Sequence, residues 1–144
     1  MAPTLKDLQD IPNTALPTAE RGLTLDLNSQ VPSRALLLDP WHVVGVTGEP
    51  AFVNSWVAGS TGAPSFRRDA MNRVYFKGGA ANGTVVTTIF TLPLGYRPIQ
   101  QWNFPVRAGG GTVGLVNINS DGQVVHELGS NVLISLDSIS FFAE

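Results

Sequence analysis

No cysteine occurs in the 144 residues, which removes disulfides, thiol nucleophiles and thiolate metal sites at once. Charge is scarce as well. Asp, Glu, Lys and Arg together make up 14% of the chain, against roughly 25% in ordinary soluble domains. A surface so poor in charge is either coated with Ser, Thr, Asn and Gln or covered in part by another subunit. The net charge is −2, and the nine basic residues are scattered apart from the pair Arg67-Arg68. That leaves no basic stripe for nucleic acid. The opening "MAPTLKDLQDIPNTALPTAE" lacks the basic-then-apolar order of a signal peptide. No apolar run approaches the ~20 residues that span a bilayer, so membrane insertion is not expected. Freedom from cysteine fits assembly in a reducing cytoplasm.

Catalytic equipment is equally thin. The two histidines, His42 and His126, have no partner at metal-ligand spacing. His126 reads as an exposed strand end beside Glu127, and His42 as a polar position next to Trp41. No GxSxG turn presents a serine nucleophile. Paired carboxylates are the minimum for glycoside hydrolysis. Here Asp121 belongs to a turn, Glu144 is terminal, and Asp69 is expected to pair with a cation after Arg67-Arg68. The segments "GGAANG" (78–83) and "AGGG" (108–111) match neither phosphate-binding pattern and precede no helix that could receive a phosphate. With "GSTG" (59–62) they read as flexible loops at the ends of a β domain, the usual seat of binding surfaces. These absences predict no enzyme activity and no cofactor.

Proline and glycine organise what is present. Five of the ten prolines (Pro3, Pro12, Pro17, Pro32 and Pro40) fall within residues 1–40. Each removes a backbone donor and biases its predecessor toward extended conformations. Apart from a short helix at Thr4 to Gln9, this stretch predicts an extended arm. Its apolar anchors are Leu5, Leu8, Ile11, Leu16, Leu23, Leu25 and Leu27. Such an arm cannot form a core and must lie on its own domain, a sister subunit or a larger scaffold.

From Trp41 to Glu144 the pattern is β throughout. Predicted strands are Trp41–Val46, Ala51–Ala58, Ser65–Asp69, Arg73–Gly78, Thr84–Leu92, Gln100–Arg107, Thr112–Ile118, Gln123–His126 and Asn131–Phe142, separated by Gly, Pro and Asn turns. This predicts an all-β antiparallel β-sandwich, jelly-roll-like. In "RVYFKG", Val74 and Phe76 point one way while Tyr75 and Lys77 point the other. In "NVLISLDSISFF" the apolar side changes near Asp137, where a bulge or change of sheet would fit. "NSDG", Asn119 to Gly122, marks a hairpin.

The segment "IFTLPLGYRPIQQWNFPV", Ile89 to Val106, builds a stiff corner. Pro93 ends a strand by removing a ladder donor. Gly95 supplies positive φ, Tyr96 can tie down a loop with its hydroxyl, and Arg97 can reach a nearby carboxylate or carbonyl. Trp56, Trp102 and Tyr96 are large aromatics with a polar tip. Burial in the core or in a subunit contact is their commoner use, and stacking on a sugar ring is the sharper one.

The order "FVNSWVAG" (52–59), "SFRRDAMNRVYFKGGAANGT" (65–84), "IFTLPLGYRP" (89–98), "INSDGQV" (118–124) and "ISLDSISFFAE" (134–144) resembles a β-domain of tailed-bacteriophage virion proteins. That domain ends minor tail proteins and tail fibres and recurs in similar head-fibre or decoration proteins. The resemblance spans residues 41–144 and not 1–40. It implies a homotrimeric knob on the virion, assembled in the host bacterial cytoplasm, with no catalytic residues. Two roles follow from it. The first is a capsid decoration or head-appendage protein docked through its arm, which the short arm favours. The second is a tail-fibre or minor-tail tip that binds a host-surface saccharide. Phage capsid or tail proteins are the expected partners.

Overall fold

A computed structural model of the protein describes residues 38–144. The arm anchors Leu5 to Leu27 and the helix at Thr4 to Gln9 lie outside the described residues. Asp39–Glu144 form one compact unit. Its strands are β1 (His42–Val43), β2 (Val57–Ala58), β3 (Ser65–Arg68), β4 (Arg73–Lys77), β5 (Gly79–Ala81), β6 (Thr88–Thr91), β7 (Trp102–Ala108), β8 (Thr112–Ile118), β9 (Gln123–Leu128), β10 (Ile134–Ser135) and β11 (Ser140–Phe142). A four-stranded sheet has the order β1-β3-β4-β11, and a seven-stranded sheet the order β2-β5-β10-β7-β8-β9-β6. Every strand pairing is antiparallel. The compact unit is an all-β sandwich.

Alternation explains the core. Val74 and Phe76 of β4 are buried while Tyr75 and Lys77 face outward, as the sequence predicts. Phe66 of β3 and Phe76 of β4 meet Phe90 of the opposite sheet, with ring centroids 6.2 and 6.1 Å apart, and Phe141 of β11 packs on Phe76 at 5.9 Å. Burying each such ring contributes roughly 1.5–3 kcal/mol. The expected change of sheet near Asp137 occurs: Ile134–Ser135 pair in the large sheet, and Ser140–Phe142 pair with β4 in the small one. Asp137 secures the crossing by accepting from the Gly78 amide at 2.7 Å and from the Ser135 hydroxyl at 3.0 Å.

Several elements differ from the sequence reading. Trp41–Val46 contracts to His42–Val43 and Ala51–Ala58 to Val57–Ala58, because Gly45, Gly48, Asn54 and Ser55 take positive φ and break the extended run. Thr84–Leu92 likewise shortens to β6 after Val86, whose φ is 57°. "GGAANG" is not an exposed loop. Gly79–Ala81 is β5, an interior strand buried along its whole length. A Cβ at Gly79 would lie 2.7 Å from the Ile134 carbonyl oxygen, so its small residues reflect close backbone approach rather than mobility. Among the described residues Asp69 makes no close ion pair with an arginine, although the Arg73 amide and, to a lesser degree, the Arg73 charge help hold its carboxyl below the ordinary value. Its carboxylate accepts from the Met71 and Arg73 amides and the Tyr75 hydroxyl, closing the β3–β4 turn.

His126 is the largest correction: it is 1% exposed, not a solvated strand end. Val124 and His126 share the inner face of β9 while Glu127 points out. Its Nδ1 accepts from the Val86 amide at 3.1 Å and its Nε2 donates to the Gly129 carbonyl at 3.0 Å. Both ring nitrogens are satisfied, so the ring packs as a core group.

Candidate functional site

The Pro93–Pro98 corner is built by a turn and a brace. The Tyr96 amide donates to the Pro93 carbonyl at 3.2 Å, with Gly95 at φ 92°. Arg97 folds back so that its Nε donates to the Leu92 carbonyl at 2.7 Å. This presents the Tyr96 hydroxyl to a polar cluster at the head of the compact unit. The hydroxyl donates to the Asp39 carboxylate at 2.9 Å and lies 2.9 Å from His42 Nε2. His42 is held at both ends: Nε2 donates to Asp39 at 3.0 Å and Nδ1 to Glu49 at 3.1 Å. The Arg68 amide donates to Asp39 at 2.9 Å, and the Arg68 guanidinium sits 5.4 Å from the Tyr96 ring centroid while donating to the Gly95 carbonyl. Beneath the cluster, Phe66 stacks on His42 at 5.2 Å and meets the edge of Tyr96 at 5.1 Å.

The electrostatics agree with this geometry. Burial disfavours the Asp39 anion, but hydrogen bonds from His42, the Arg68 amide and Tyr96 outweigh it, and the carboxyl titrates below its ordinary 3.8. Burial also opposes the His42 cation, yet hydrogen bonds to Asp39 and Glu49 raise it above its ordinary 6.5. Burial first, then the Asp39 carboxylate, push the Tyr96 hydroxyl up to about 12. A tyrosine so firmly protonated is a donor, not a nucleophile. The two carboxylates meet opposite nitrogens of one ring and converge on no common point. Accordingly, no cluster able to hold a metal occurs among the described residues. The arrangement is a clamp that fixes residue 39, where the compact unit begins.

A pH dependence follows. The His42 contribution is fully present below pH 6.5 and is lost as pH rises through its higher folded value. The Asp39 contribution is present above pH 3.8 and is lost as pH falls through its lower folded value. The melting-temperature difference between the native protein and His42→Gln is therefore expected to be largest between these ordinary values. It should shrink on both sides. A difference that grows steadily toward alkaline pH would contradict the clamp.

The four corner and interface candidates occupy three places. Tyr96 and Arg97 form the corner. Trp56 is in the core, its Nε1 donating to Thr87 Oγ1 at 3.1 Å and its ring 5.2 Å from His126. Trp102 stands apart and is 43% exposed, beside Phe104 at 6.5 Å. Sequence reasoning missed Asp39 and Glu49, and took His42 for an isolated polar residue. The available signal was a histidine flanked by acids on both sides within ten residues. Among the described residues no helix is long and apolar enough to cross a membrane.

No family model matches the chain, and no curated protein matches it. The crystal structure of the receptor binding protein (gp15) of Listeria phage PSA is similar at a TM-score of 0.57 and 20% identity, covering 100% of this chain and 89% of that one. The two share a fold. At this identity the likeness concerns backbone architecture, not individual residues.

Proposed function

We propose that the chain is a non-enzymatic bacteriophage virion protein, a homotrimeric β knob fastened to the particle through its N-terminal arm and facing the host surface. The observation that carries this reading is the likeness in fold, over the whole chain, to a phage receptor-binding protein. Two further features support it. The order of segments from "FVNSWVAG" to "ISLDSISFFAE" resembles that of phage tail and head-fibre domains. The outer face of the large sheet carries a small apolar group, Pro105 opposite Leu115 with Val113 next along β8, bordered by Arg107 opposite Val113 and by the pair Asn103 and Asn117. A face of that kind suits a sister subunit.

In this account the clamp transmits attachment. The compact unit begins at Asp39, which is tied to β3, to His42 and to the corner. A pull on the arm therefore loads the body of the domain rather than a loose loop. Capsid decoration, which the sequence alone favours, is the alternative outcome of the test.

Removing residues 1–37 is expected to leave a folded trimer by light scattering that no longer joins particles. The full-length protein is expected to compete with phage for adsorption to host cells. Incorporation of the truncated chain would show that the arm is not the anchor. Lack of competition together with labelling at capsid lattice points would move the protein from the tail to the head.

A further inference from the structure

We propose that the cleft between the free edge of β11 and the start of β7 is a saccharide subsite. It would take one pyranose ring bearing an acidic substituent, such as a uronate. For its biological setting the proposal rests on the host-recognition reading above; for its chemistry it rests on the cleft alone.

The cleft exists because the two sheets differ in extent. Along the inner face of β7, Ala108 and Val106 are buried under the small sheet, Phe104 is half-buried, and Trp102 emerges beyond its edge. An aromatic ledge results, running from Phe141 in the core through Phe104 at 6.4 Å to Trp102 at 6.5 Å. Phe142 forms the facing wall, with the Arg73 guanidinium 4.9 Å from its ring centroid. The cleft, open to solvent on one side, has a volume of about 240 Å³ and is lined by these aromatics, Arg73 and Ser140.

Polar groups sit at the rim in the pattern a sugar requires. The backbones of Ile139 and Ala143 bond to β4, through the Phe76 amide and the Asn72 carbonyl. By alternation, the amides and carbonyls of Ser140 and Phe142 point away from β4, on the side that pairs only at the strand's end, where Pro98 bridges Ala143 and the Glu144 amide donates to the Arg97 carbonyl. Arg73 donates to Ser140 Oγ at 2.8 Å and retains further donors. A pyranose offers an apolar C–H face to an aromatic ring and hydroxyls at its margin, which matches an apolar pocket with a few convergent polar groups.

Charge selects the substituent. No carboxylate lies within ion-pair distance of Arg73 among the described residues. Arg67 and Lys77 share its outer face of the small sheet, a clustering that the linear sequence hides. Two acids lie toward that end: Asp69, whose carboxylate feels the Arg73 charge but accepts its hydrogen bonds from turn amides and Tyr75, and Glu144, two residues past Phe142. A guanidinium with free donors favours a carboxylate. An added β-strand is a poorer occupant, because the edge is three residues long and its end is already bridged by Pro98.

The test uses the full-length protein with methyl β-glucuronide and methyl β-glucoside as probes, read by the Trp102 indole resonance. The glucuronide is expected to shift that signal saturably. Trp102→Ala, followed by titration calorimetry because the indole signal is gone, should abolish glucuronide binding with an unchanged melting curve. Arg73→Gln should weaken glucuronide binding about tenfold or more while altering glucoside binding little. The site is overturned if neither sugar moves the Trp102 signal, or if Arg73→Gln weakens both sugars equally. It is also overturned if Trp102→Ala lowers the solution mass, which would make the cleft a subunit contact. Competition for host cells that survives both substitutions removes the cleft and leaves host recognition standing. Saturable glucuronide binding by a protein that never competes keeps the cleft and removes host recognition.

Discussion

Phe66→Ala is expected to destabilise the domain by about 3–5 kcal/mol, the cost of deleting a buried phenylalanine ring and leaving a cavity. Phe66 is fully buried at the meeting of three groups of contacts. On one side its ring packs with Phe76 and Phe90 across the sandwich, at 6.3 and 6.2 Å. On the other it carries His42, stacked at 5.2 Å, and the edge of Tyr96 at 5.1 Å. Its strand, β3, pairs with both β1 and β4, so no neighbour can collapse into the space without breaking a ladder. For a domain of this size the loss corresponds to a fall in Tm of roughly 12–25 °C, a large share of the ~5–15 kcal/mol that holds such domains folded. The substitution should also flatten the pH dependence assigned to His42, since the ring that positions the imidazole is gone. Thermal melts at pH 5 and pH 8 check both effects. A loss under about 1 kcal/mol would mean the cavity is readily filled and Phe66 is no keystone.

The parts of this fold governed by alternation could be read from the sequence. Val74 and Phe76 against Tyr75 and Lys77, the hairpin at Asn119 to Gly122, and the change of sheet at Asp137 each follow from a period of two or a turn signal within a few residues. What could not be read depends on contacts made at a distance. "GGAANG" carries loop chemistry, yet Gly79–Ala81 is an interior strand because two neighbouring strands approach it too closely for larger residues. His126 looks like a surface residue until its two partners, the Val86 amide and the Gly129 carbonyl, are in place. The clamp is the plainest case. The sequence marks Tyr96 as a residue able to tie down a loop, but Asp39 lies 57 positions away, and no local pattern links them. Trp102 shows the converse: alternation places it on the inner face of β7, and only the shorter opposing sheet leaves it exposed.

Gly83→Ala should be the most damaging single-methyl change in the domain. Gly83 is buried, and a Cβ there would overlap Trp56 at Cγ, Cδ2 and Cε2. These atoms lie at the root of a rigid indole, so no small torsion of a flexible side chain relieves the overlap. Nor can the indole retreat freely. Its Nε1 is held by Thr87 Oγ1, and His126, itself fixed at both nitrogens, packs against it at 5.2 Å. Moving the backbone instead would stretch the bond from Asn131 Nδ2 to the Gly83 carbonyl at 2.7 Å and the neighbouring Asn82 amide bond to Asn131. Overpacking commonly costs about 1–3 kcal/mol and sometimes more; with every escape blocked, the expected loss is at or above about 3 kcal/mol. A second substitution separates this clash from a general intolerance of alanine at position 83. Trp56→Leu alone should destabilise by opening a cavity, yet with Gly83→Ala the added methyl enters that space. The pair should therefore be less damaging than the sum of the single changes, with a coupling of roughly 0.5–3 kcal/mol. Strict additivity in denaturant melts would place the indole away from Gly83. An unchanged Tm for Gly83→Ala would show that this end of the sandwich yields far more readily than its bonded neighbours imply.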